Sequence, residues 1–275
     1  MDHTFLFQQP PPAYIRALPP ITLLFLSYLC FSEIIGKHLQ YSKFWNVNSQ
    51  SKSNQIKLSS KTGMLLLYGP AFLAGVASFG LFPYGGLSLT TTGGRMAAVE
   101  ALDCGAVIDG HSGYAGGVGV LFVHKFSGGM VLDSAILISG AYFSLAASLI
   151  YVQHLTEGLP EPSIDLKYLG VVIFLVGISG NFYHHYLLSK LREKGDKGYK
   201  LPKGGLFNLV LCPHYLFEII AFWGIFFVSQ TALSLSCAFG VALYLAGRSF
   251  VTRKWYLSKF ENFPREVKAL VPFVF

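Results

Sequence analysis

The sequence predicts an all-α fold, a polytopic membrane helix bundle of about six to seven transmembrane helices. Three observations carry that expectation. Only 13% of the residues are charged, about half the share usual in a soluble domain, while 52% are hydrophobic. Apolar runs of roughly 20 residues, the length that spans a bilayer, recur along the chain. The basic residues gather in three segments, each against the edge of an apolar run.

The elements follow in order. The first run, 17–35, comes after a Pro-rich start and the single Arg16, and it is long for a signal-peptide core. It reads as a retained anchor. Further runs occupy 62–82, 130–152, 168–188, 206–227 and 231–245. Between the first two, residues 36–61 hold five lysines and no acid. Residues 190–203 hold six basic residues against Glu193 and Asp196, and residues 248–268 hold six more against Glu261 and Glu266. These three segments contain 17 of the 21 Lys and Arg. The loop 153–167 instead carries Glu157, Glu161 and Asp165 with Lys167 alone. The positive-inside rule then puts the basic segments in the cytosol and the acidic loop in the lumen. Each basic patch is tied to a membrane edge, which argues against a nucleic-acid partner.

Counting crossings exposes a gap. Run 62–82 starts in the cytosol and ends in the lumen, yet run 130–152 must also start in the cytosol. The intervening chain therefore has to cross once more. Residues 85–120 are Gly-rich and carry Glu100, Asp103 and Asp109, acids that would cost several kcal/mol to insert. The chain divides accordingly into 1–84, with the first membrane helices and a cytosolic loop, an irregular segment 85–120, and a C-terminal domain 121–275.

Cys30, Cys104, Cys212 and Cys237 form no CxxC pair, and three of them lie in apolar runs. They read as buried thiols, with neither a disulfide framework nor a zinc signature. No Walker loop or Gly-rich dinucleotide turn follows a strand, so a nucleotide site would have to be built from membrane helices and their basic loops.

Ionisable residues at membrane depth are candidates for chemistry. Asn181, His185, Leu188 and Arg192, at steps of four, three and four, form one helical stripe running toward the basic end. In "LCPHYLFEIIAFWG" (211–224), His214 and Glu218 share a helix face, and Pro213 suits a first helical turn. The linker between these clusters holds Tyr199, Lys200, Lys203 and the pair Gly204-Gly205, which permits close backbone approach to a ligand. A metal site built from His184, His185, His214 and Glu218 lacks any spacing that fixes its geometry, and none is expected.

The stretch "GNFYHHYLLSKLREKGDKGYKLPKGGLFNLVLCPHYLFEII" (180–220) resembles the core signature of the steroid 5α-reductase family. The ending "GRSFVTRKWYLSKFENFPREVKALVPFVF" (247–275) resembles that family's C-terminus, and "SEIIGKHLQYSKF" (32–44) its first cytosolic loop. The subgroup looks like the plant members, which are also similar to trans-2-enoyl-CoA and polyprenol reductases. The resemblance implies a helical bundle in the endoplasmic reticulum. It also implies NADPH-dependent reduction of a carbon–carbon double bond in a steroid enone, enoyl thioester or other lipid substrate. It puts Asn181, Arg192, Tyr199, His214 and Glu218 at cofactor-contacting positions and, more loosely, His185, Arg248 and Tyr256. Tyr68, in "LLLYGP", stands where steroid reductases place a glutamate and is the expected catalytic group, able to donate a proton to a carbonyl oxygen. Two further departures are visible. Residues 85–120 lack the helix of the form His-x-x-Lys-Arg-x-x-Glu that the family places before "LFVHKFSGG" (121–129), and Ala221 stands at an often acidic position. Two rival readings remain at this point. One is a reductase-like membrane protein with an impaired site. The other is a membrane methyltransferase of the isoprenylcysteine type, against which the 32–44 loop and "KLPKGGLF" argue.

Overall fold

The computed structural model describes residues 5–10, 12–37, 39, 44, 56–59, nine positions within 62–74, 129–191 and 199–275. Tyr68, Arg192 and the whole of segment 85–120 lie outside them. The elements are α1 (Ala13–Ile34), β1 (Lys57–Ser59), β2 (Gly129–Val131), α2 (Leu132–His154), α3 (Lys167–Lys190), a 3-10 turn (Gly205–Asn208), α4 (Pro213–Ser229) and α5 (Ala232–Lys259). The architecture is helical and suited to a bilayer. Among the described residues four helices, α1, α2, α3 and α5, are long and apolar enough to cross a membrane, and α4 is a shorter apolar helix.

The helices hold together in two tight pairs and a junction between them. In the first pair, α3 packs antiparallel on α4 through small residues. A Cβ added to Gly177 would lie 2.4 Å from the Ala221 nitrogen, and one on Gly224 would lie 2.5 Å from the Phe174 nitrogen. No side chain fits either gap, so the backbones meet, which is how membrane helices gain contact without a hydrophobic drive. The same crossing accounts for Ala221, which is buried against Gly177 where an acidic side chain would find no room. In the second pair, α1 lies along α5 in the same direction, Ile15 packing with Leu233 in one core cluster and Glu33 meeting Arg248. Phe174, Phe222, Ile225, Val228, Leu233 and Val241 join the pairs in a common core.

One end of the bundle is organised by Gln230. It caps α4 in the left-handed region at φ 50°, and its amide nitrogen donates to the carbonyls of Phe5 (2.9 Å) and Ile164 (2.8 Å). Its amide oxygen accepts from the Leu166 N–H at 3.0 Å. The acidic loop, the start of α3 and residues 5–7 are thereby tied together. The described residues of segment 190–203 sit at the opposite end, where α3 finishes and α4 begins.

Two sequence expectations are corrected here. The apolar run 206–227 is not one helix. The residue before a proline avoids helical geometry, and Cys212 sits at φ −122°, ψ 55°, with Pro213 opening α4. Residues 209–212 instead pair with the closing segment. Leu211 N–H donates to the Lys268 carbonyl (2.8 Å), Cys212 N–H to that of Ala269 (3.1 Å), and Lys268 N–H to that of Leu209 (2.9 Å). The side chains of Val210, Leu211 and Cys212 are covered by protein, so they need no lipid. Conversely, run 231–245 is only the first half of α5, which continues to Lys259.

The expected extra crossing falls on residues outside those described. β1 pairs antiparallel with β2, Ser59 opposite Gly129. Beyond them the helical positions within 62–74 run parallel to α2. Ser139 Oγ donates to the Leu66 carbonyl at 2.7 Å, and Ala71 packs with Ala146 further along.

Candidate active site

The polar residues of α3 and α4 come together where these helices reach the basic end. The Asn181 side-chain amide donates to the His214 carbonyl at 2.9 Å, using the second acceptor site of a carbonyl in the first turn of α4. The His185 and His214 rings meet at 5.0 Å between centroids, 61° apart in plane, and His214 also lies 4.3 Å from the Tyr215 ring. Glu218 stands one turn further along α4 on the face of His214 and is half-buried. Three of the residues singled out in the sequence are thus in direct contact, and a fourth shares their face.

Tyr199 and Tyr256 belong to an adjoining aromatic lobe. Both rings contact Trp255, Tyr199 at 4.9 Å and Tyr256 at 5.1 Å. Tyr256 also stacks on Phe260 at 5.5 Å and is 6% exposed. Tyr215 packs against this lobe as well as against His214, so the lobe and the polar cluster are neighbours.

Arg248 is placed differently. It is 1% exposed, and its Nη1 lies 2.6 Å from Glu33 Oε1, itself 1% exposed. The Phe44 ring lies 4.4 Å from the guanidinium carbon, and the Leu39 N–H donates to the same carboxylate oxygen at 3.3 Å. The charge the sequence offers to a cofactor is already neutralised inside the protein, in a pair that joins α1 to α5.

His184 holds a position that the sequence did not disclose. Its Nδ1–H donates to the Gly180 carbonyl at 2.7 Å, and its Nε2 accepts from the Leu206 N–H at 3.1 Å. Those two bonds require the neutral tautomer with the proton on Nδ1. The ring also stacks on Phe217 at 5.2 Å. Both nitrogens are used within the protein, so His184 latches the turn after Gly204-Gly205 onto α3. Gly204 and Gly205 have φ of 87° and 51°, the left-handed region where glycine costs least. A signal existed: a histidine beside a stripe of polar residues, one turn from a Gly. Its partner, 22 residues on, had none.

Together these elements define a helical membrane protein with a polar, histidine-rich site between two helices at its basic end, flanked by an aromatic lobe and a Gly-Gly turn. The family follows from comparison. The model of the family described as 3-oxo-5-alpha-steroid 4-dehydrogenase matches residues 134–275, which contain every element of the site described above, and the chain belongs to that family. It is similar to 3-oxo-5-alpha-steroid 4-dehydrogenase 1 of Macaca fascicularis, 35% identical over 126 residues that are 46% of this chain and 48% of the relative. It is likewise similar to 3-oxo-5-alpha-steroid 4-dehydrogenase 2 of Sus scrofa, 34% identical over 143 residues, 50% of this chain and 56% of the relative. To the Gossypium hirsutum steroid 5-alpha-reductase DET2 it is 40% identical over 111 residues, 38% of this chain and 42% of the relative. The chain spans about half the length of the curated relatives it matches.

Proposed function

We propose that this chain is a membrane reductase that uses NADPH to reduce a carbon–carbon double bond conjugated to a carbonyl in a lipid substrate, a steroid enone first and an enoyl thioester second. The observation that carries the reading is the contact of Asn181, His185 and His214 between α3 and α4, with Glu218 on the same face, inside the stretch that matches the family. We further propose that the basic end faces the cytosol and that the membrane is that of the endoplasmic reticulum.

The residues suit a nicotinamide nucleotide. Glu218 is an acceptor for a carboxamide or ribose hydroxyl. The two histidines and Asn181 supply further polar edges, Tyr199 and Tyr256 offer ring faces, and the Gly-Gly turn allows close backbone approach. Lys200 and Lys203 precede that turn, and a cation there favours a 2′-phosphate. Bound NADPH would supply a hydride. The protein's share is to hold the polar head at the basic end while the apolar bundle excludes water and admits the lipid. A polar group at the carbonyl oxygen stabilises the developing enolate. Tyr68 is the residue proposed for it, and Arg192 is proposed as a further phosphate contact. His214 and Glu218 are thus kept in an apolar helix because a nucleotide head, not lipid, covers them.

Fluorescence titration with NADPH in detergent tests this. Glu218→Gln should weaken binding by about 1–3 kcal/mol, the scale of a charge-assisted hydrogen bond. Unaltered NADPH affinity in Glu218→Gln would remove Glu218 from the site. Consumption of NADPH with a steroid enone but not an enoyl thioester, or the reverse, decides the substrate class.

A further inference from the structure

We propose that residues 270–275 are an interfacial membrane anchor, a rigid apolar turn seated at the boundary between headgroups and acyl chains on the basic side of the bundle. The lipid-facing stripe of α5 points to it. Phe239, Leu243, Phe250 and Leu257 are exposed by 49%, 46%, 46% and 39%, at steps of four, seven and seven that keep them on one face of the helix. This stripe does not stop where the helix does. After Lys259 the chain doubles back, and the Phe275 ring lies parallel to that of Phe250, 6.5 Å between centroids and 10° apart in plane. Phe250 precedes the end of α5 by nine residues, or about 14 Å of helix. Residues 270–275 have therefore returned along α5 to the depth of its lipid-facing side chains.

The turn is built to hold its shape. The Leu270 and Val271 N–H groups both donate to a backbone oxygen of Phe275 at 2.7 Å, and the Phe275 N–H donates to the Val271 carbonyl at 3.0 Å. Phe273 takes φ +64°, a region a bulky side chain adopts rarely, and is 79% exposed beside Val274 at 76%. The preceding segment is clamped to α5, since Arg253 Nε donates to the Val267 carbonyl and Nη2 to that of Arg265, each at 2.7 Å. An apolar tip on a fixed base is thus presented outward, continuous with the exposed apolar face of α5. Lys254, Lys259 and Arg265 are exposed in the same C-terminal segment, alongside the exposed Glu261 and Glu266. Segment 248–268 keeps an excess of basic residues, and an apolar turn next to such a segment matches the inner boundary of a leaflet, where acyl chains take the rings and phosphates take the cations.

A nitroxide on Val274→Cys, in protein reconstituted into lipid nanodiscs, reads the depth directly, with the parent chain's own labelling subtracted. Phe273→Cys is a second reporter and Asn262→Cys, on the exposed link after α5, an aqueous reference. Power saturation should show positions 273 and 274 more accessible to oxygen than to a water-soluble nickel chelate, at about 5–10 Å below the headgroup level, and position 262 the reverse. Either reporter behaving like position 262 would overturn the inference by placing the turn in water. Shielding from both agents would overturn it too, because a protein surface, a second copy included, would then cover the turn.

Discussion

The ion pair between Glu33 and Arg248 is the interaction whose loss the structure prices most clearly. Both groups are 1% exposed, their nearest atoms lie 2.6 Å apart, and they join helices 215 positions apart in sequence. Glu33→Gln removes one charge of the pair and leaves Arg248 buried without its carboxylate counter-ion. Breaking a buried pair in this way costs about 3–5 kcal/mol, because the orphaned ion keeps its desolvation penalty. At about 2–4 °C per kcal/mol for a chain of this size, the unfolding midpoint should fall by roughly 6–20 °C. Arg248→Met should cost as much. The double variant Glu33→Leu/Arg248→Met should recover most of the loss, since well-packed apolar replacements of a buried pair are often neutral. Thermal unfolding in one detergent, followed by circular dichroism on all four proteins, completes the cycle. A drop of less than 2 °C in Glu33→Gln, or a double variant as unstable as the sum of the singles, would refute the pairing. NADPH titration of the double variant separates the two roles of Arg248. Affinity kept in a stable double variant makes the arginine a strut between α1 and α5, whereas affinity lost there assigns it a contact with the nucleotide.

Other outcomes follow from the same geometry. His184→Phe keeps the stacking on Phe217 but removes the partners of the Gly180 carbonyl and the Leu206 N–H, so stability should fall by about 1–3 kcal/mol. His184→Gln, which can still accept from Leu206, should lose less, and equal losses in chemical denaturation would argue against the latch. Gly177→Val should push α3 from α4, because even its Cβ would stand 2.4 Å from backbone, and a loss of at least about 1–3 kcal/mol is expected in the same assay. Gly140→Ala, where nothing lies within 4 Å of the added carbon, should be silent and serves as the control.

Much of this was legible along the chain. Apolar runs marked α1, α2 and α3 to within a few residues, since a hydrophobic stretch of bilayer length has few other ways to satisfy its backbone. The stripe through Asn181 and His185 and the pair His214 and Glu218 were visible as ionisable groups at membrane depth, and periodicity put each set on one helix face. Contact between the sets was not visible. It depends on α3 and α4 crossing at Gly177 and Ala221, where missing side chains let the backbones close.

Hydropathy also misjudged 206–212 and the reach of α5. It records how apolar a residue is but not whether lipid or protein covers it, and here the closing strand-like segment at 268–269 covers Leu209–Cys212. Arg248 shows the same limit for charge. One sequence position can announce a buried cation and even a family role, but the partner that neutralises it, Glu33, is chosen by how α1 lies on α5. What the sequence determined by itself is local: which segments prefer lipid, which edges are basic, which turns need glycine. Which polar groups meet was decided only by packing, because hydrogen bonds and ion pairs act over about 3 Å, a distance that no spacing along the chain encodes between separate helices.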